Sequence, residues 1–432
     1  MTISRRDLIR SSALLTAASA LPLGTAADPQ QPGRGETPAN LPPAIAALAS
    51  WRDRMKPITV EEFQGRIQHA QKLMSDLKPG FDALYVTPGT TLYYFTGIRW
   101  GLSERVVALT IPRSGDPLLI CPGFEEGRLR ELMRFPIELR VWQEDDNPGE
   151  LVAKWLTERG IRAGRIGIEE TTRYTYYDKL RHAAPALTYA IGDPVTIGCR
   201  GNKSEHELEL MRLACAVTFE AYRATFASVQ EGMTQYDING LLSAAFSKLG
   251  FPSGGGLILI GKWAALPHGT TQPQKLVEGQ ILQIDAGTNV DGYESDVTRC
   301  YVLGEPSEKY LRAFDTVHKA QEAALNAARR GHECGSVDAA ARAVITNAGY
   351  GNLYEHFTHR LGHGIGLDGH EWPYLVRGNK RLLDANQTFS NEPGIYIVDD
   401  FGLRLEDDMV VMPDGPARLL TPGLSESLKK PV

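Results

Sequence analysis

The chain has 432 residues, of which 42% are hydrophobic and 23% charged, with a formal net charge of −6. That length exceeds what a single hydrophobic core usually serves, so two domains are expected. The mild acidity speaks against nucleic acid or an anionic membrane as a partner, and no apolar run approaches the roughly 18–20 residues that span a bilayer.

The N-terminus reads as an address. Arg5 and Arg6 precede an apolar stretch from Ala13 to Leu23, followed by small residues with A-x-A-like cleavage options at 18–20 and 25–27. Residues 1–27 thus resemble a twin-arginine signal peptide, which implies export of the folded protein to the periplasm. No cysteine lies near the cleavage options, so no stable membrane anchor is expected. Residues 28–56 follow as a linker and N-terminal extension, rich in Pro, Gly and Gln as far as Leu41. The five cysteines are odd in number and none has C-x-x-C spacing, which indicates neither a disulfide framework nor a zinc cluster.

Residues 57–200 alternate helix and strand signals and predict an α/β domain. Val60 to Met74 is an amphipathic helix, Asp82 to Val86 a short strand, and Arg105 to Ile120 a hairpin around the turn-rich Pro112–Asp116. Leu151 to Arg159 reads as helix and Arg165 to Glu169 as strand. The domain boundary is expected near Gly198 to Lys203. Ser204 and Glu207 then match a capping box that opens a long helix toward Val229. Further helices are predicted at Ser307–Arg330 and Val337–Asn347.

Residues 201–432 carry an internal repeat. Gln280, Asp285 and Gly287 have the same spacing as Gln387, Glu392 and Gly394. Each copy continues with a glycine four residues before another acid, Gly292 to Asp296 and Gly402 to Glu406. Both copies read strand, turn, strand, which predicts a pseudo-symmetric α+β domain that brings four carboxylates together. If Asn289–Gly292 form a four-residue loop, Asp285 and Asp296 sit directly opposite, within the roughly 5 Å of a cross-strand pair. Two bare carboxylates that close repel unless a proton or a cation lies between them.

Three of the ten histidines, His359, His363 and His370, fall within twelve residues amid four glycines. Small neighbours let backbone and substrate approach closely. The segment matches no H-E-x-x-H zinc motif. Four carboxylates and one imidazole form an oxygen-rich donor set suited to two divalent ions, Mn²⁺ first, with Co²⁺, Fe²⁺ or Zn²⁺ as alternatives. Hydrolytic sites use such a pair. Asp407 and Asp408, beside Glu406, are expected to be solvated or to act as acceptors behind the ligands.

These motifs resemble the pita-bread metallopeptidases, in the Xaa-Pro dipeptidase and aminopeptidase P branch. Asp285, Asp296 eleven residues on, His363 in Gly-His-Gly, Glu392 in Glu-Pro-Gly and Glu406 after Arg404 occur in that family's order. The resemblance is strong over about 200–420 and looser in the N-terminal domain, through Tyr93–Gly97. It implies a creatinase/prolidase-like N-terminal domain and a pita-bread catalytic domain with a pseudo-twofold repeat. It also implies Asp285 on one ion, His363 and Glu392 on the other, and Asp296 and Glu406 between them. His268, His359, His370 and Arg404 would handle the substrate. In that scheme Glu392 carries the proton, His370 meets the oxyanion and His268 the carbonyl side. The implied substrates are Xaa-Pro peptides, with dipeptidase and aminopeptidase action both open, and a homodimer is the family expectation. The alternatives are a metal-dependent non-peptidase hydrolase or lyase on the same scaffold, or a catalytically inert binding platform.

Overall fold

The computed structural model describes residues 41–253 and 255–432. The expected leader at 1–27 and the linker as far as residue 40 lie outside them. The rest of the extension packs onto the body: Ile45, in the one-turn helix α1 (Pro43–Ala46), is fully buried, and the Trp51 N–H donates to Leu249 O at 2.9 Å.

Helix α2 (Val60–Asp76) starts at a capping box formed by Thr59 and Glu62. It buries Phe63, Ile67, Ala70 and Met74, the one-sided spacing that an amphipathic helix needs to cover a sheet. Strand β1 (Ala83–Val86) is followed by the short helix α3 (Thr90–Thr96). Then come β2 (Ala108–Pro112), β3 (Leu118–Pro122), α4 (Glu126–Leu132) and β4 (Glu138–Trp142). Helix α5 (Pro148–Glu158), β5 (Arg165–Ile168), α6 (Tyr174–Ala183) and β6 (Thr188–Ile191) complete the layer. The sheet order is β4-β3-β2-β1-β5-β6. The expected hairpin is the antiparallel β2–β3 pair, and β5 and β6 extend the sheet in parallel from β1.

Helix α7 (Asp193–Arg200) leads into α8 (Glu205–Phe226), which opens at the capping box of Ser204 and Glu207. Glu207 serves twice. One carboxylate oxygen accepts from the Ser204 N–H at 2.6 Å, while the other accepts from Arg66 of α2 at 3.0 Å and from the Tyr293 hydroxyl at 2.6 Å. The two domains also share an apolar core in which Phe63 and Tyr94 belong to the same cluster as Leu208 and Met211.

After α9 (Gln235–Leu249) the catalytic domain forms β7 (Leu257–Ile260), β8 (Ile281–Ala286), β9 (Asn289–Val290), β10 (Tyr293–Glu294) and β11 (Val297–Val302). Helices α10 (Glu308–Ala327) and α11 (Cys334–Asn347) intervene. The second half follows as β12 (Gly362–Gly364), β13 (Glu371–Leu375), β14 (Thr388–Asn391), β15 (Gly394–Ile397), β16 (Phe401–Arg404), β17 (Asp407–Val410) and β18 (Arg418–Leu419). The repeat is visible in the pairing. In the first copy β8 pairs with β11 and β9 with β10; in the second β14 pairs with β17 and β15 with β16. The copies meet where the Glu406 N–H donates to Thr298 O at 3.1 Å and the Arg404 N–H to Gln283 Oε1 at 2.9 Å. Behind them, Val317, Ala320, Ala341 and Ile345 of α10 and α11 bury Phe389, Leu403, Leu405 and Met409. Each large apolar side chain buried there is worth about 1.5–3 kcal/mol, which holds the acid-bearing strand ends in place.

One expected register is corrected. Asp285 pairs with Thr298, not with Asp296. The turn comprises only Asp291 and Gly292, at φ 50° and 93°, and Val290 already pairs with Tyr293. Two consecutive positive φ values define a hairpin turn that fits the right-handed twist of the strands, whereas a four-residue loop would shift the register by two. Asp296 is thereby the diagonal neighbour of Asp285 on the same face.

Candidate active site

The five candidate ligands converge on one pocket. Oxygen atoms of Asp285, Asp296 and Glu406 lie within 4.8 Å of one another, as do ligand atoms of His363, Glu392 and Glu406, and of Asp296, His363 and His370. Asp285 comes from the end of β8 and Asp296 from just before β11. His363 lies on β12, Glu392 follows β14 and Glu406 precedes β17. The pocket has a volume of about 310 Å³ and is also lined by Pro267, His268, His359, Arg360, His370 and Arg404.

His363 is held with its lone pair inward. Its Nδ1 lies 3.0 Å from Gly364 O, so the proton sits on Nδ1 and leaves Nε2 free. That Nε2 is 3.4 Å from Glu392 Oε1 and 3.8 Å from Asp296 Oδ2. The flanking glycines permit this. A Cβ at Gly362 would lie 2.1 Å from Ser390 O, and one at Gly364 2.5 Å from Trp372 O. Burial pushes the His363 pKa down to about 3, so the ring is neutral and able to act as a ligand.

Burial and mutual repulsion raise the acids. Asp296 and Glu406 are driven well above the ordinary carboxylate range, by burial first and then by neighbouring negative charge. Glu392 rises to about 7, mainly through burial. Arg404 contacts these carboxylates directly: its Nη2 is 2.5 Å from Asp285 Oδ2 and its Nε 3.1 Å from Thr298 Oγ1, while Arg360 is the second arginine of the pocket lining. Thr298 in turn donates to Glu406 Oε2 at 2.6 Å. Four convergent carboxylates outnumber the two guanidinium groups of Arg360 and Arg404, and with the inward lone pair of His363 they fit a cationic occupant. Hard divalent cations match the donors.

Behind the ligands stand residues that spacing did not single out. The Asp296 N–H donates to Asp408 Oδ2 at 3.0 Å, and Cys215 also donates to Asp408. Asp407 forms a fully buried ion pair with Arg299 at 2.6 Å. Both acids are buried acceptors, the second of the two alternatives expected for them. The hydrophobic positions around them in β17 signal burial for the whole strand. Tyr396, buried and unmarked by any spacing, lies 2.7 Å from His359 Nε2. His359 Nδ1 is 2.7 Å from Arg360 O, so both of its ring nitrogens are engaged. Burial lowers its pKa to about 3. The His370 ring stacks on His363 with centroids 3.6 Å apart, and His268 is an exposed residue of the pocket rim.

Comparison with known proteins identifies the family and the fold. Residues 209–413 match metallopeptidase family M24, and residues 66–200 match the creatinase/prolidase N-terminal domain. A Xaa-Pro dipeptidase of Lactobacillus helveticus is 33% identical over 346 residues, covering 77% of this chain and 91% of the relative. The crystal structure of dipeptidase PepE from Mycobacterium ulcerans superposes with a TM-score of 0.79 at 32% identity, covering 87% of this chain and all of that one. A prolidase from Thermococcus sibiricus gives a TM-score of 0.75 at 30% identity, covering 84% and 97% of the two chains. Fold and site together define a metal-dependent peptidase: a creatinase/prolidase-type N-terminal domain joined to a pita-bread catalytic domain. The chain belongs to metallopeptidase family M24.

Proposed function

We propose that this peptidase is a Xaa-Pro dipeptidase working with two divalent ions, Mn²⁺ being the first candidate. The observation that carries this reading is the sharing of Glu406 between two groups of ligand atoms, Asp285/Asp296/Glu406 and His363/Glu392/Glu406. Two adjacent ion positions with a common carboxylate account for both groups. When bound, the ions supply Lewis-acid activation of water and of the scissile carbonyl.

The chain's own residues do the rest. Glu392 accepts a proton from the attacking water and returns it to the proline nitrogen as the bond breaks. Arg404 orients Asp285 through their 2.5 Å contact. His370, stacked on His363 beside Asp296, donates to the developing oxyanion, and His268 holds the carbonyl side. The dipeptidase and prolidase relatives favour a dipeptide over a longer substrate. We likewise propose that Arg5 and Arg6 direct export by the twin-arginine route, with a periplasmic dimer as the working form. Cell fractionation and the solution mass test these two points.

The function itself is tested with Ala-Pro and Ala-Pro-Pro-Ala, using protein stripped of metal and then reloaded with Mn²⁺. Metal-dependent cleavage of the dipeptide alone supports the reading. Cleavage of the longer peptide makes the protein an aminopeptidase P type. Cleavage of neither, by protein holding two ions, transfers the assignment to a small-molecule hydrolase or lyase.

A further inference from the structure

A buried ionic cluster lies outside the ligand set, between the domain boundary and the pocket. Arg200, the last residue of α7, donates through Nη2 to Asp368 Oδ2 at 2.5 Å and to Glu371 Oε2 at 2.7 Å. Lys203, three residues on, reaches the other oxygen of Glu371 at 2.5 Å. The side chains of Arg200, Lys203 and Glu371 are 4%, 2% and 1% exposed. The second Arg200 nitrogen donates to the hydroxyls of Thr90 and Thr91 at 3.2 and 3.0 Å, at the start of α3 in the N-terminal domain. Thr90 also donates to Asp368 at 2.9 Å.

The two gripped acids bracket His370. Among the described residues its ring makes no hydrogen bond, so the backbone on either side and the stack on His363 set where it points. Glu371 begins β13, which pairs with β12 through a bulge where Gly364 faces Glu371 and His363 faces Tyr374. That bulge carries the stacked rings of His363 and His370. Gly366 makes room for the cluster: a Cβ there would lie 2.6 Å from Glu371 Oε1 and 2.9 Å from Lys203 Cε. Two cations and two acids balance in charge, and a buried group of this kind is a weaker source of stability than of defined geometry.

We infer that Arg200 and Lys203 are positioning residues: by clamping Asp368 and Glu371 from the domain boundary, they set the direction of the His370 ring and tie the N-terminal domain to the reaction. This rests on the peptidase role given to His370 above. It makes the N-terminal domain a part of the active site's scaffold, although no candidate ligand comes from it.

The test compares Lys203→Met in the wild-type and His370→Ala backgrounds of the full-length, Mn²⁺-loaded protein, using Ala-Pro. A fall in kcat of about tenfold or more, with KM and ion content unchanged, is expected in the wild-type background and no further fall in the other. Equal losses in both backgrounds overturn the proposal. The half-exposed Asp368→Asn takes the place of Lys203→Met if that variant does not fold. Hydrogen exchange of the metal-free protein provides a readout independent of activity. Faster exchange confined to residues 366–372 supports the clamp, and unchanged or chain-wide faster exchange overturns it. If the wild type releases no proline, the functional reading fails and the exchange measurement alone decides.

Discussion

Tyr396 joins Arg404 to His359: its hydroxyl lies 3.2 Å from Arg404 Nη1 and 2.7 Å from His359 Nε2. The guanidinium can only donate, so the phenol oxygen accepts from it and gives its own proton to the neutral imidazole. The chain of contacts continues from Arg404 to Asp285 and Thr298. Replacing Tyr396 by Phe leaves the guanidinium and the imidazole each short of a partner. An unsatisfied buried polar group costs about 1–3 kcal/mol, so kcat/KM is expected to fall roughly tenfold to a hundredfold. Steady-state kinetics beside ion content checks this, because the loss should appear with metal binding intact.

The five candidate ligands were legible in the sequence because a cation site needs acids and an imidazole at strand ends with small neighbours. Those features leave a spacing that survives without coordinates. The hairpin register was not read correctly, although Asp291-Gly292 is itself a two-residue turn signal; counting Asn289 and Val290 into the loop moved Asp296 by two positions. Arg200 and Lys203 gave no local sign of their role, since they grip acids some 170 positions away in the chain. Tyr396 was equally silent. A single tyrosine in an apolar strand looks like core until its hydroxyl is seen to have two partners.

The turn offers a direct test of that register. Gly292 has φ 93°, and a Cβ there would lie 2.9 Å from Arg99 Nη2 and 3.1 Å from Tyr93 Cε1. Gly292→Ala therefore strains the backbone and crowds its neighbours, at an expected cost of about 1–2 kcal/mol in a denaturant titration. Since the turn sets where Asp296 sits, affinity for Mn²⁺ should weaken in parallel, as measured by calorimetry.

Arg299 and Asp407 are both fully buried and lie behind the site. Arg299→Met leaves an uncompensated carboxylate in the core and should cost about 3–5 kcal/mol of unfolding free energy. Adding Asp407→Leu removes that charge and should restore more than half of the loss. Chemical denaturation of the single and double variants decides the matter.

His206 of α8 tethers α2, with Nδ1 2.9 Å from Glu62. Burial opposes its protonated form, but the contacts with Glu62 and Lys56 O prevail and raise its pKa above 6.5. The stabilisation it contributes is complete below 6.5 and disappears as pH rises through the higher folded-state value. Glu62 is shifted the opposite way: burial opposes its charge, but hydrogen bonds from Thr59 and His206 hold its pKa below 4.5, so its share is lost only in acid. The stability difference between wild type and His206→Gln should therefore be larger at about pH 5.5 than at about pH 8.5. Solvent screening should keep it below about 1 kcal/mol. Paired denaturation curves at the two pH values read this out.

The central claim is that Glu406 belongs to two ion positions at once. Ion content per chain, measured by mass spectrometry after Mn²⁺ loading and desalting and paired with the magnetic coupling seen by electron paramagnetic resonance, tests it most directly. The account predicts two coupled ions in the wild type and loss of coupling, with one ion or none, in Glu406→Ala. A wild type that is fully active with a single uncoupled ion, or a Glu406→Ala protein that keeps a coupled pair, would contradict it.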